Sequence, residues 1–341
     1  MANSPTPMST VSGTLAARAD ATIAPAMHVR RPTAWELARA ILESSKPGIT
    51  RLVTITALVG FAMAAATRAW TVTELLISAI GCALGTAMSA AGANALNQWM
   101  ERDRDALMHR TSRRPIPAGR ASVRTIILAG TSLIVGGFFV LWIANGLVPA
   151  LIALTCAASY LIAYTPLKPL TTFATYVGAI PGALPPLIGW TAASIDHGFM
   201  AQVDALLHPG GLLLFAIMFA WQIPHFLAIA WMHREDYARG GYRVLAVVDP
   251  TGTTTSIVVA LWTLALLALT VAPAWAMPES LGMPYTIAAA VSGLGFAYLA
   301  GRLVVERSRN AARRVFFASI AHLPLIFLVM VIEAFARAWM R

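Results

Sequence analysis

Residues 73–105 read TELLISAIGCALGTAMSAAGANALNQWMERDRD, and the loop after them, 106–122, reads ALMHRTSRRPIPAGRAS. Positions 73–97 are almost wholly apolar or small, and about 20 such residues suffice for a helix to cross a bilayer. The helical pattern then runs on into a dense polar block. Asn97, Glu101 and Asp105 recur every four residues, so at roughly 100° per residue they stack on one helical face. An amide and two carboxylates in a column offer hard oxygen donors to a cation such as Mg²⁺. Arg110, Arg113, Arg114 and Arg120 follow at once, and guanidinium groups suit an anionic ligand. Acids for a metal beside arginines for phosphate, at a membrane boundary, point to a diphosphate site. The plainer reading is a solvated helix end pairing with its own arginines. It fits Asn97 poorly, because Asn97 lies at the boundary in line with both acids. Asp103 falls on another face, and Asn94 is deep enough for a structural hydrogen bond.

The rest of the chain sets this block in a membrane. Of 341 residues, 58% are apolar and 12% charged, where soluble domains carry about a quarter charged. Apolar runs near 49–68, 73–97, 123–144, 146–165, 173–193, 210–232, 254–275, 283–301 and 315–336 predict an all-α, polytopic membrane protein. About nine transmembrane helices would surround a central cavity, and no period-two alternation supports a β-barrel. The net charge is +10, yet it does not call for a nucleic-acid partner. With the N-terminus inside, the segments 1–48, 98–122, 166–172, 233–253 and 302–314, with Arg51 and Arg124 at helix ends, leave only Arg68, Arg337 and Arg341 of 25 basic residues for the other side. This is the positive-inside pattern. It predicts a cytoplasmic N-terminus and an external C-terminus in a bacterial inner membrane, with the mitochondrial inner membrane left open.

Residues 1–32 are Ala-, Ser- and Thr-rich and read as a disordered cytoplasmic tail, so 33–341 forms the membrane domain. A transit peptide has a similar composition. Thr33 and Glu36 make a capping box for a short helix whose Trp35, Ala38, Ile41 and Leu42 form an apolar face, suited to the membrane surface as far as Lys46-Pro47. Cys82 and Cys156 fall inside predicted spans as small core residues. A second polar loop, 233–253, follows the sixth span. Trp99-Met100-x-Arg102 is echoed by Trp231-Met232-x-Arg234, as duplicated halves facing one cavity would give. Asp236 is its natural candidate for a metal position, with Glu235 solvated. Lys168 is the only charge of its short loop and a candidate phosphate contact. His225, about two turns inside the membrane edge, is a functional candidate because intramembrane ionisable groups usually are. The competing reading is a neutral histidine bonded to a neighbouring helix. His322 reads as structural, and His28, His197 and His208 carry no signal.

The pattern Asn-x₃-Glu-x₃-Asp-x₂-Met-x-Arg-Thr-x₂-Arg-Pro-x-Pro-x-Gly, from Asn97 to Gly119, resembles the first motif of the UbiA-type intramembrane prenyltransferases. Further segments carry the resemblance from about residue 35 to 336: Lys46-Pro-Gly-Ile-Thr-Arg51, Tyr164-Thr-Pro-Leu-Lys168, Gly178 to Trp190, Trp221-Gln-Ile-Pro-His-Phe226 and Asp236-Tyr237. Gly182-Ala-Leu-Pro-Pro186 and Pro224-His-Phe226 are similar to the branch that farnesylates protohaem. One departure stands out. The family's second motif usually has two or three aspartates at helical spacing, whereas Asp236 has Met232 and Gly240 four residues to either side, which leaves one or two Mg²⁺ ions open.

The resemblance implies that farnesyl diphosphate lies with its tail among the helices and its head at the cytoplasmic face. Asn97, Glu101, Asp105 and Asp236 would hold Mg²⁺ there, and Arg110, Arg113, Arg114 and Lys168 would bind the diphosphate. Haem B would be the acceptor, with His225 as an iron ligand or haem-positioning group, and water addition would complete haem O. The product's recipients would be haem A synthase or a terminal oxidase under assembly. The rival readings are prenylation of a quinone precursor or another ring, a secondary transporter, or a haem-handling subunit. A transporter would need charges near the bilayer midplane, and here they crowd one face.

Overall fold

The computed structural model describes residues 33–194 and 198–340. The expected tail, 1–32, and His197 lie outside the described residues. In chain order the helices are α1 (Ala34–Ser44), α2 (Pro47–Ala65), α3 (Val72–Asp105), α4 (Val123–Asn145), α5 (Leu147–Ala158), α6 (Thr165–Leu167), α7 (Ala174–Ala183), α8 (Pro185–Ala192), α9 (Phe199–Leu206), α10 (Pro209–Met232), α11 (Arg234–Arg239), α12 (Leu245–Val248), α13 (Thr253–Val271), α14 (Pro273–Ala276), α15 (Met283–Glu306) and α16 (Arg309–Trp339). A π-helical turn, Ser159–Tyr164, joins α5 to α6. Among the described residues there is no strand.

Eight of the nine expected spans are helices long and apolar enough to cross a membrane. The fifth, 173–193, is divided into α7 and α8. Pro185 and Pro186 have no N–H to give to the preceding turn, so the hydrogen-bond ladder breaks there while the chain stays helical in direction. Outward faces are apolar and exposed, as at Ile143, Ile162 and Leu294, which suits lipid and not water. The largest apolar core joins α2, α10, α13, α15 and α16 through Phe61, Trp221, Leu266, Phe296 and Phe327. The capping box of α1 forms as expected. Its apolar face divides: Ala40 and Ile41 pack with Ala95 and Ile126, while Trp35, Ala38 and Leu42 point outward.

The described parts of all five segments expected on the inner side reach the same end of the bundle. Lys168 meets Glu101, Arg104 donates to the Gly240 carbonyl, Arg120 bridges to Glu43, and Arg307 and Arg309 share a cavity with His233 and Asp236. At the other end Arg68 donates to the Ala193 carbonyl, and Arg337 pairs with Glu333.

Small residues set how closely the helices approach. Without a hydrophobic force between helices in lipid, close backbone contact is the main source of cohesion. A Cβ on Gly189 of α8 would collide with the Ala57 carbonyl of α2, and one on Gly60 with the Pro186 carbonyl. Gly189→Val is therefore expected to destabilise the detergent-solubilised protein by about 1–3 kcal/mol, read as a lowered apparent Tm. An unchanged Tm would mean that α2 and α8 are not held this closely.

Candidate active site

Helix α3 carries the Asn97/Glu101/Asp105 column past the end of its span, and all three residues are buried. Each meets a different cation. The Lys46 ammonium donates to Asn97 Oδ1 at 2.5 Å, Lys168 to Glu101 Oε1 at 3.1 Å, and Arg114 to Asp105 Oδ2 at 2.5 Å. The other Asp105 oxygen is buried with no partner. Burying carboxylates in low dielectric costs several kcal/mol each unless they are paired, so this one-to-one matching is what makes the column tolerable.

Local structure brings the cations in. Lys46 links α1 to α2 in a left-handed conformation, φ 49°, which turns the chain sharply just before Pro47. The π-helical turn places Tyr160, whose carbonyl accepts from Thr165 Oγ1 at 2.8 Å. Thr165 in turn receives the Asn97 amide at 3.0 Å. Inserted turns of this kind re-aim side chains at functional sites. The Lys168 ammonium lies 4.3 Å from the centre of the Tyr242 ring, and the rings of Tyr164 and Tyr237 are close by.

Burial pulls the Lys46 ammonium down to about 7; Arg114 nearby adds to this and Glu101 opposes it. Lys168 is the reverse case. Burial alone would lower it, but the Glu101 carboxylate, helped by the tyrosines, holds it well above the usual lysine value. Lys46 stands in the segment Lys46-Pro-Gly-Ile-Thr-Arg51, but no periodicity marks it as part of the site. Its signal was a lone lysine before a proline at a membrane edge.

The remaining candidates fall into place separately. Arg120 forms a two-point bridge to Glu43, at 2.6 and 2.7 Å, and donates to the Arg113 carbonyl, so it pins the loop to α1. Arg113 is exposed, and the Arg110 guanidinium rests over the Tyr237 ring. Asn94 donates to Thr50, the structural role open to it. Asp236 is ion-paired with Arg239 and accepts from the His109 backbone N–H at 3.4 Å; the bond from Arg239 is the main reason its carboxyl is held below the usual range. These partners lie in α11 and in the loop after α3, not in the column. Among the described residues no group of three His, Cys, Asp or Glu is close enough to hold a metal. The all-oxygen column with its bare Asp105 oxygen nonetheless fits Mg²⁺ shared with an oxygen-rich ligand, since Mg²⁺ takes one or two carboxylates and fills its shell with phosphate and water.

His225 sits apart, in α10 against α16. Its ring is stacked between Trp221 and Phe316, at 4.5 and 5.2 Å, and Nδ1 is 2.7 Å from Ser319 Oγ. Ser319 gives its only hydroxyl proton to the Phe316 carbonyl at 2.6 Å, so it accepts from Nδ1–H. That fixes the tautomer and leaves a lone pair on Nε2, the arrangement of a metal-ready imidazole. His322 is buried and bonded to Ser292, the structural placing expected of it.

A profile of the UbiA prenyltransferase family matches residues 53–323. The chain is 38% identical over 304 residues to a protein of Solibacter usitatus called protoheme IX farnesyltransferase, covering 86% of this chain and 98% of that one. Its fold is similar to a solved digeranylgeranylglyceryl phosphate synthase, with TM-score 0.70, 14% identity, and 88% and 99% of the two chains covered. It is also similar to a UbiA homologue of Archaeoglobus fulgidus bound to GPP and Mg²⁺, with TM-score 0.54, 15% identity, and 85% and 99% covered.

The cation cluster makes a pH prediction. As pH climbs from 6 to 8 the ligand-free site is expected to lose the Lys46 charge, so by calorimetry wild type should lose affinity for inorganic diphosphate relative to Lys46→Arg. Lys46→Arg keeps its charge across this range. A pH dependence unaltered in that variant would assign the titration to another group.

Proposed function

Since the chain belongs to the UbiA prenyltransferase family, we propose that it transfers the farnesyl group of farnesyl diphosphate to a vinyl group of haem B, with addition of water, to give haem O. The observation that carries this reading is the buried oxygen column met rung by rung by cations at one end of an apolar bundle. The name of the Solibacter relative supports haem as the acceptor. The A. fulgidus homologue with GPP and Mg²⁺ supports a metal–diphosphate pair.

When bound, Mg²⁺ would be held by Asn97, Glu101 and Asp105, with Asp236 of the second loop as a further ligand, and would draw charge from the diphosphate oxygens. The chain's own residues do the rest. Arg114, Lys168 and Lys46, held at the column, face the phosphates as the C–O bond breaks and the diphosphate leaves with the electron pair. They act as fixed counter-charge where charge develops. Arg110 stands at the mouth, beside Tyr237, and exposed Arg113 adds charge from farther out. The apolar bundle keeps water from the allylic cation. The terminal vinyl carbon then bonds to farnesyl C1, positive charge passes to the vinyl carbon next to the ring, and water adds there and sheds a proton. His225 presents its free Nε2 to the haem iron. Basic residues gathered at the column's end support that end as the cytoplasmic one, in a bacterial inner membrane.

The test is purified protein with haem B, farnesyl diphosphate and Mg²⁺, with pigments resolved by chromatography and mass spectrometry. A later-eluting haem heavier by one farnesyl and one water, formed only with Mg²⁺, is expected. Asp105→Asn should reduce turnover by about 100-fold or more while the protein still elutes as a folded species. Wild-type turnover in that variant would remove the metal role of the column. Farnesyl diphosphate bound without any farnesylated haem would move the acceptor to another ring. His225→Ala should perturb the haem absorption band, and normal binding and conversion would retire its assignment.

A further inference from the structure

Two adjoining cavities, of about 500 and 400 Å³, share Met232, His233 and Arg309 where α10 ends against the start of α16. They form one cleft, each lobe within the range of roughly 300–1,000 Å³ common for small-molecule sites. The inner lobe is walled by Phe316, Phe317 and Met232 and rimmed by Arg309 and Arg313. Phe316 is the same ring that stacks on His225. The outer lobe reaches Asp236 and His109, on the diphosphate side of the second loop.

Two arginines of this cleft differ from several others at this end of the bundle. Arg114, Arg120, Arg302 and, within the cleft itself, Arg239 each meet a carboxylate. Among the described residues Arg309 and Arg313 form no salt bridge; Arg313 only lies over the Phe317 ring at 5.4 Å. Topology anchoring explains basic residues at this end, but not why they rim a cavity with an apolar wall. The cations for a diphosphate are already in the column cluster, and neither Lys46, Lys168 nor Arg114 lines the cleft. A second anion is left to be matched. The occupant must have a flat apolar body for Phe316 and Met232 and negative charge on one edge for the two arginines. Behind Phe316 lies the His225 imidazole with its free Nε2, although His225 itself lines neither lobe.

We infer that this cleft is the haem-binding site, with the two propionates held at the rim by Arg309 and Arg313 and the macrocycle laid along Phe316 toward His225. The assignment rests on the farnesyl transfer to haem proposed above. It gives the acceptor an open route from the end of the bundle that carries the column. Its far end meets Asp236, so donor and acceptor would approach each other along one cleft. Arginine is suited to this because its planar fork binds carboxylates in two-point fashion.

The experiment titrates haem and haem dimethyl ester, whose propionates carry no charge, into full-length protein in detergent and follows the Soret band. Wild type should favour haem over the ester by about tenfold or more, the size expected when hydrogen bonds to charged groups are lost. The double variant Arg309→Gln/Arg313→Gln should lose that preference by weakening haem alone, with ester binding and farnesyl diphosphate binding unchanged. Because both side chains are exposed, the variant should fold. Unaltered haem affinity in the variant, or an equal loss for haem and ester, would overturn the site. So would a wild type that does not distinguish the two. A wild type that binds neither porphyrin would instead remove haem as acceptor, and the cleft's assignment with it.

Discussion

Charge buried inside a helical bundle has to be matched by charge, because bulk water does not reach it to solvate it. That constraint organises this protein. Three polar rungs on α3 are each answered by one cation, Lys46, Lys168 and Arg114, drawn from three different segments. These bonds tie the α1–α2 corner, the end of α6 and the loop after α3 to helix α3. The same pairing makes the site receptive. A cation bound to a carboxylate in low dielectric will exchange it for a phosphate only if the carboxylate gains another partner at the same time. In the proposed reaction, Mg²⁺ and diphosphate arriving together would meet that condition, because each would supply what the other's binding takes away.

The bundle around the column does two further jobs. Its backbones approach closely at small residues, as where Gly189 of α8 meets Ala57 of α2, which gives cohesion that lipid does not supply. Its apolar interior also provides the dry space that an allylic cation needs. The α10–α16 contact serves a different end. Trp221 donates to the Ser319 carbonyl at 2.7 Å, Ser319 orients His225, and Phe316 connects that imidazole to the cleft outside. Packing and chemistry here use the same side chains.

Much of this was legible in the chain. Spans follow from length and transfer free energy, which depend on local composition. The column follows from a four-residue repeat, because helical geometry fixes which residues share a face. The common end of the inner loops follows from where the basic residues fall. The divided fifth span was visible as Pro185-Pro186, though an apolar run alone reads as one helix.

What only the tertiary structure decided is partnership between distant segments. Lys46 and Asn97 are 51 residues apart and Lys168 and Glu101 are 67 apart, and no local pattern says which helices will be neighbours. The sequence set Arg110, Arg113 and Arg114 apart from Arg120 as diphosphate ligands but named a partner for none of them. Packing made Arg114 the partner of Asp105 and Arg120 a pin to Glu43, while Arg309 and Arg313 were left facing a cavity. Local periodicity writes the face of a helix into the sequence. What that face meets depends on the packing of the whole bundle, which the sequence encodes only collectively.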